Sequence, residues 1–102
     1  MKKQDQAEIE RRLLQVLCEL QRQEDVASNY PPGALPFADE MRQIEEYIKL
    51  AGEYEIAYET LVATISTHPY ILSGKAAISL LEVALILGYK TGRKEDEMFD
   101  RR

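Results

Sequence analysis

From Gly74 to Leu87 the chain reads Gly-Lys-Ala-Ala-Ile-Ser-Leu-Leu-Glu-Val-Ala-Leu-Ile-Leu, and apart from Gly74 only Lys75, Ser79 and Glu82 are not apolar. Ser73 in front suits a helix N-cap, and Gly88 behind suits a helix stop. The three polar positions lie at offsets 0, 4 and 7, a thin stripe on one face. A helix apolar on every other side has to be covered, by the rest of the chain or by a second copy of it. The run is too short to span a bilayer, which takes about 20 apolar residues. The rest of the chain is therefore read for what covers this helix.

Three further segments carry the required apolar stripes. In residues 5–27, Ile9, Leu13, Val16, Leu17 and Leu20 stand at offsets 0, 4, 7, 8 and 11, with charged residues and glutamines on the other side. In residues 39–51, Met41, Ile44, Ile48 and Ala51 stand at offsets 0, 3, 7 and 10. Gly52 ends that helix and Glu53 opens the next. There Tyr54, Ala57, Tyr58, Leu61 and Ile65 stand at offsets 0, 3, 4, 7 and 11. So short a connection forces a hairpin or a sharp elbow. Residues 28–37 hold three of the four prolines and read as a connector with some polyproline character. A docking loop built on Tyr30 is the other reading of this segment. No segment alternates with period two, so no sheet is expected. The expected fold is all-α: a small bundle of four helices, or five, with the nearly all-apolar fourth helix as its spine. The 102 residues make one domain, ending in a charged tail over 89–102 with Met98 and Phe99 as an anchor.

Composition narrows the function. Hydrophobic residues at 45% and charged residues at 30% are those of a globular domain rather than a disordered one. A net charge of −5 argues against a free-standing nucleic-acid binder. Cys18 is the one cysteine, so no internal disulfide forms and a reducing compartment fits. It lies beside core positions and reads as a small buried hydrophobe. Met1 to Asp5 leads straight into a charged helical pattern, so no secretory signal is expected. The one histidine, His68, stands in a loop before Pro69 and has no nucleophile partner in a known motif. It reads as a solvent-facing or capping group. No Glu-x-x-His, HExxH, CxxC, P-loop or GxGxxG is present. No catalytic residue, cofactor or metal is expected.

The acids are unevenly placed. Residues 37–66 hold two bases and seven acids; residues 1–36 hold five and six, and residues 67–102 hold six and five. The middle hairpin thus carries the whole excess. In its first helix Arg42 precedes Glu46 by four and Glu45 precedes Lys49 by four, a self-neutralising arrangement. In its second helix Glu53, Glu55 and Glu59 have no Lys or Arg between residues 53 and 66. Glu53 suits the positive end of the helix. Glu55 and Glu59 are a like-charge i,i+4 pair costing roughly 0.2–0.5 kcal/mol. Either a neighbouring helix supplies the missing cations, or a partner does. Six tyrosines stand against two phenylalanines and no tryptophan. Tyr54 and Tyr58 lie on the core stripe and Tyr47 at the margin of its own. Tyr30, Tyr70 and Tyr89 stand at helix breaks, where they seal the breaks or serve an interface.

From Ile44 to Gly88, and above all in Gly52-Glu53-Tyr54-x-x-Ala57-x-Glu59-x-Leu61 followed by a helix entered near Ile71-Leu72-Ser73, the sequence resembles the small helical immunity proteins of polymorphic bacterial toxin systems. These are the MafI-type and related contact-dependent growth inhibition immunity proteins. The resemblance implies a cytoplasmic protein that is not an enzyme. It would bind a co-inherited toxin domain, often a nuclease, and cover its active site. A nuclease cleft is basic because its substrate is a polyanion, and an acidic face complements it. The expected contacts are Glu55 and Glu59 first, then Glu46, Asp39 and Tyr47. No direct contact with nucleic acid or membrane is expected. The alternative is a homo-oligomeric structural or regulatory bundle, a homodimer through the apolar excess of the fourth helix and the secondary stripe of Ile56, Thr60 and Ala63.

Overall fold

A computed structural model of the chain describes residues 3–88. Helix α1 spans Lys3–Gln21, and a 3₁₀ helix follows over Glu24–Asn29. After the proline-rich connector come α2 (Phe37–Lys49), α3 (Tyr54–Thr67) and α4 (Gly74–Leu87). The fold is all-α, with four long helices and no strand among the described residues. None of these helices is long and apolar enough to cross a membrane. The charged tail and its Met98–Phe99 anchor lie outside the described residues.

The stripe of α1 is the middle of the core: Ile9, Leu13, Val16, Leu17 and Leu20 are all buried. Burying one such side chain contributes about 1.5–3 kcal/mol. Met41, Ile44 and Ile48 of α2 and Ala57 and Leu61 of α3 close on it, with Tyr54, Tyr58 and Ile65 packed at the edge. Helices α1 and α4 form the broadest pair, and α1 also meets α2 and α3. The first helix stops at Gln21 rather than running to residue 27, and the chain tightens into the 3₁₀ turn that buries Val26. Helix α2 ends at Lys49, which leaves Ala51 exposed instead of on the stripe. Cys18 is exposed, not buried. It follows Leu17 around the helix, off the face that the five buried residues share.

The stripe expected to face water on α4 divides. Lys75 and Glu82 are exposed, but Ser79 is 2% exposed and lies with Ala76, Val83 and Ala84 on the buried face. Its hydroxyl donates to Gln15 Oε1 at 3.2 Å and accepts from Arg12 Nη1 at 3.4 Å, so the buried group is satisfied by α1. Arg12 Nε is 2.9 Å from Glu8 Oε2, an ion contact without hydrogen-bond alignment. Ile78 is 60% exposed in turn. A serine satisfied by polar side chains of a neighbouring helix is a tertiary outcome that hydropathy cannot rank.

The ends of α4 are built as the sequence reads. Ser73 Oγ accepts from the Ala76 N–H at 3.0 Å. Glu19 of α1 receives the Ser73 N–H at 3.1 Å and the Ser73 hydroxyl, which hold its carboxyl below the usual range. Gln23 fixes the preceding strand of chain: its Nε2 donates to the Ile71 carbonyl and its Oε1 accepts the Ile71 N–H, both at 2.8 Å. Gly88 closes the helix at φ 88°, a left-handed conformation that only glycine adopts without cost. Gly52, at φ 62°, turns α2 into α3, and the Glu53 N–H lands on the Tyr47 carbonyl at 2.8 Å.

Candidate partner-binding face

Helices α2 and α3 carry their acids in three different ways. On the outer face of α2, Asp39 pairs with Arg42, and Glu45 pairs with Lys49 at 3.2 Å. Arg42 takes Asp39, three residues before it, rather than Glu46 as its spacing suggests. Glu46 is exposed beside them in a shallow groove of about 290 Å³ with Arg42, Glu45, Lys49 and Leu50. Leu50 is 82% exposed, the barest large hydrophobic of the described chain. It stands two residues after Ile48, off the core stripe, which is the signal that marks it.

Glu40 points inward. Its Oε1 accepts from the Tyr30 hydroxyl at 2.8 Å and from the Thr64 hydroxyl. Tyr30 Oη is also 2.6 Å from Tyr70 Oη and 3.1 Å from Thr64 Oγ1. His68 stacks on the Tyr30 ring at 3.8 Å and 6°, and Phe37 meets the ring edge-on at 5.9 Å. Burial and the Glu40 carboxylate push the Tyr30 phenol far above its ordinary 10, and burial raises Tyr70 as well. The side-chain hydrogen bonds of Tyr30, Glu40, Thr64 and Tyr70 run among these four residues. The cluster ties the connector to α2, α3 and the α3–α4 loop. Sealing, not display, is what Tyr30 and Tyr70 do here, and His68 is half-buried against them rather than facing solvent.

At the start of α3 the acids face out. Glu53 stands at the N-cap position without making a side-chain cap bond, and Glu55 follows in the first turn. Both are exposed, and neither is ion-paired with a described Arg or Lys. They rim a groove of about 420 Å³ whose walls are Tyr54, Ile56 and Leu87, with Gln6 of α1 at one side. Ile56 is 42% exposed. Glu59 is exposed one turn on and is not without a partner. Tyr47 is half-buried against the core. The five expected contact residues therefore do not form one patch. Asp39 and Glu46 belong to the α2 face, Glu55 to the groove at the start of α3, and Tyr47 in part to the interior.

Among the described residues no group of three or more His, Cys, Asp or Glu side chains is placed to hold a metal ion. No family model matches the chain, and neither a curated protein nor a solved structure is similar enough to match.

Proposed function

We propose that this chain is an immunity protein, one that binds and neutralises a cognate bacterial toxin domain, a basic nuclease, by covering its active-site region with an acidic helical face. The reading assigns the chain no catalysis, no cofactor and no direct contact with nucleic acid, and it places the encounter in the cytoplasm. The observation that carries it is the mixed surface at the start of α3. There Glu53 and Glu55 stand in water beside exposed Ile56, with no described cation against them. Carboxylates left unneutralised speed encounter with a basic surface. The adjacent apolar side chain supplies the area that charge alone does not. Asp39 and Glu45, each spoken for by a cation of α2, contribute less.

The test is protection of growth when the toxin domain encoded next to this chain is co-expressed with it, together with capture of that domain by the purified protein. Glu55→Lys with Glu59→Lys should lower the affinity at least tenfold and abolish protection. Unchanged protection removes both residues from the interface, and a neighbouring gene without a toxin domain removes the reading. A homo-oligomeric bundle is the second reading, favoured by Ile78 at 60% and Ile71 at 79% exposure beside the apolar α4. Light scattering separates the two: a tight dimer that Ile78→Glu dissolves supports the bundle.

A further inference from the structure

The outward face of α3 changes character along its length. Glu55 and Ile56 stand at its start. Val62 and Ala63 stand seven residues on, almost in line with them, since seven residues make close to two turns. Ser66 and Thr67 continue the line, and all six residues are exposed. The helical rise puts Val62 about 10 Å beyond Glu55 and Ser66 about 17 Å beyond it. Between Glu59 and Lys75 the sequence holds no Asp, Glu, Lys or Arg. Helix α2, by contrast, exposes Arg42, Glu46 and Lys49. Two hydroxyls of α3 are turned back onto the helix itself: Thr60 Oγ1 donates to the Ile56 carbonyl and Thr67 Oγ1 to the Ala63 carbonyl, both at 2.7 Å. An uncharged face whose hydroxyls already have partners gives up little when it loses its water. The cores of protein interfaces are depleted of charge in the same way.

Charge decides which occupant fits. Glu53 and Glu55, at the start of the face, have no described cation against them. A second copy would bring residues 37–66, with seven acids against two bases, up to the same segment, so like charge opposes it. A basic protein surface meets no such opposition. We infer that the whole outward face of α3 is the footprint of one partner, a basic protein domain whose cations border an uncharged apolar patch. The cations face Glu53 and Glu55, and the patch covers Val62, Ala63 and Ser66. The inference rests on the immunity reading and adds to it the source of the complex's lifetime. The acidic end sets the rate of encounter, and the dry end sets the rate of escape.

The toxin domain encoded next to this chain, inactivated in its active site, is immobilised, and binding of the parent, Ala63→Glu and Val62→Ala is followed in time. Added negative charge by itself favours a basic partner, so Ala63→Glu sets the two ends of the face against each other. The expected result is an affinity at least about tenfold lower, carried by faster dissociation, with an association rate within about threefold of the parent's. Val62→Ala, which trims the patch without adding charge, should lower affinity about threefold by the same route. Both positions are exposed, so both variants should unfold in urea as the parent does. A parent that binds while both variants match it overturns the inference and leaves the immunity reading standing. A parent that binds no toxin domain overturns both. A dimer of the parent that Ala63→Glu dissolves puts a second copy on the face and overturns the inference too.

Discussion

Two carboxylate-bearing regions of this molecule, on successive helices, use their charge in opposite ways. Glu40 faces inward and accepts from Tyr30 and Thr64 in a cluster that joins the connector to α2, α3 and the α3–α4 loop. Glu53 and Glu55 face outward at the rim of a groove and take no described cation. In the first region donors fixed by the fold satisfy the carboxylate, so its value is stability. In the second nothing in the described domain does so, and the carboxylates stay open to water; binding a basic partner is the use proposed for them. The same residue type is thus tied into the fold or left at the surface according to the donors around it.

The contrast predicts unequal responses to mutation. Tyr30→Ala removes a half-buried ring stacked on His68 together with one of the two donors to Glu40, and should cost about 3 kcal/mol in urea unfolding. Tyr30→Phe keeps the ring and should cost about 1–2 kcal/mol. A Tyr30→Ala protein as stable as the parent would dissolve the distinction between the regions.

Alkali should strike the same cluster. The phenols of Tyr30 and Tyr70 are raised by burial from an ordinary value of 10, so their neutral forms are favoured in the folded state. That stability is complete below pH about 10 and is lost as pH climbs from there toward the raised folded values. The stability of the parent should therefore fall more steeply between pH about 10 and 12 than that of Tyr30→Phe, as followed by circular dichroism. Parallel curves would mean that Tyr30 titrates as freely as in the unfolded chain.

The smallest effect belongs to the open groove. Glu53→Gln with Glu55→Gln should change stability by less than about 0.5 kcal/mol, as surface substitutions away from a network do. The same pair should slow association with a basic partner and flatten the salt dependence of that rate. A loss above about 1 kcal/mol would show that these acids serve the fold after all.

The helices were legible because amphipathic periodicity reports local geometry. The five stripe residues of α1, the Ser73 cap and the Gly88 stop stand where the pattern puts them. The candidate site was legible only in part. The sequence shows that Glu53 and Glu55 lack a cation on their own helix, and that Arg42 and Lys49 are near enough to neutralise α2. It does not show that Arg42 selects Asp39, or that Ser79 turns inward to meet Gln15 and Arg12. It does not show that Cys18 faces out. Those depend on the rotation of one helix against another, a matter of fractions of a turn.

By itself, then, the order of residues determined that this chain is all-α, where its last three long helices begin and end within a few residues, and that its negative charge gathers on the middle hairpin. Only the tertiary structure decided which of those acids is spent inside, against Tyr30 and Thr64, and which is left at the surface. Periodicity along one helix is a short-range property. Satisfaction of a carboxylate depends on donors brought from far along the chain: Tyr30 lies ten residues before Glu40 and Thr64 twenty-four after it.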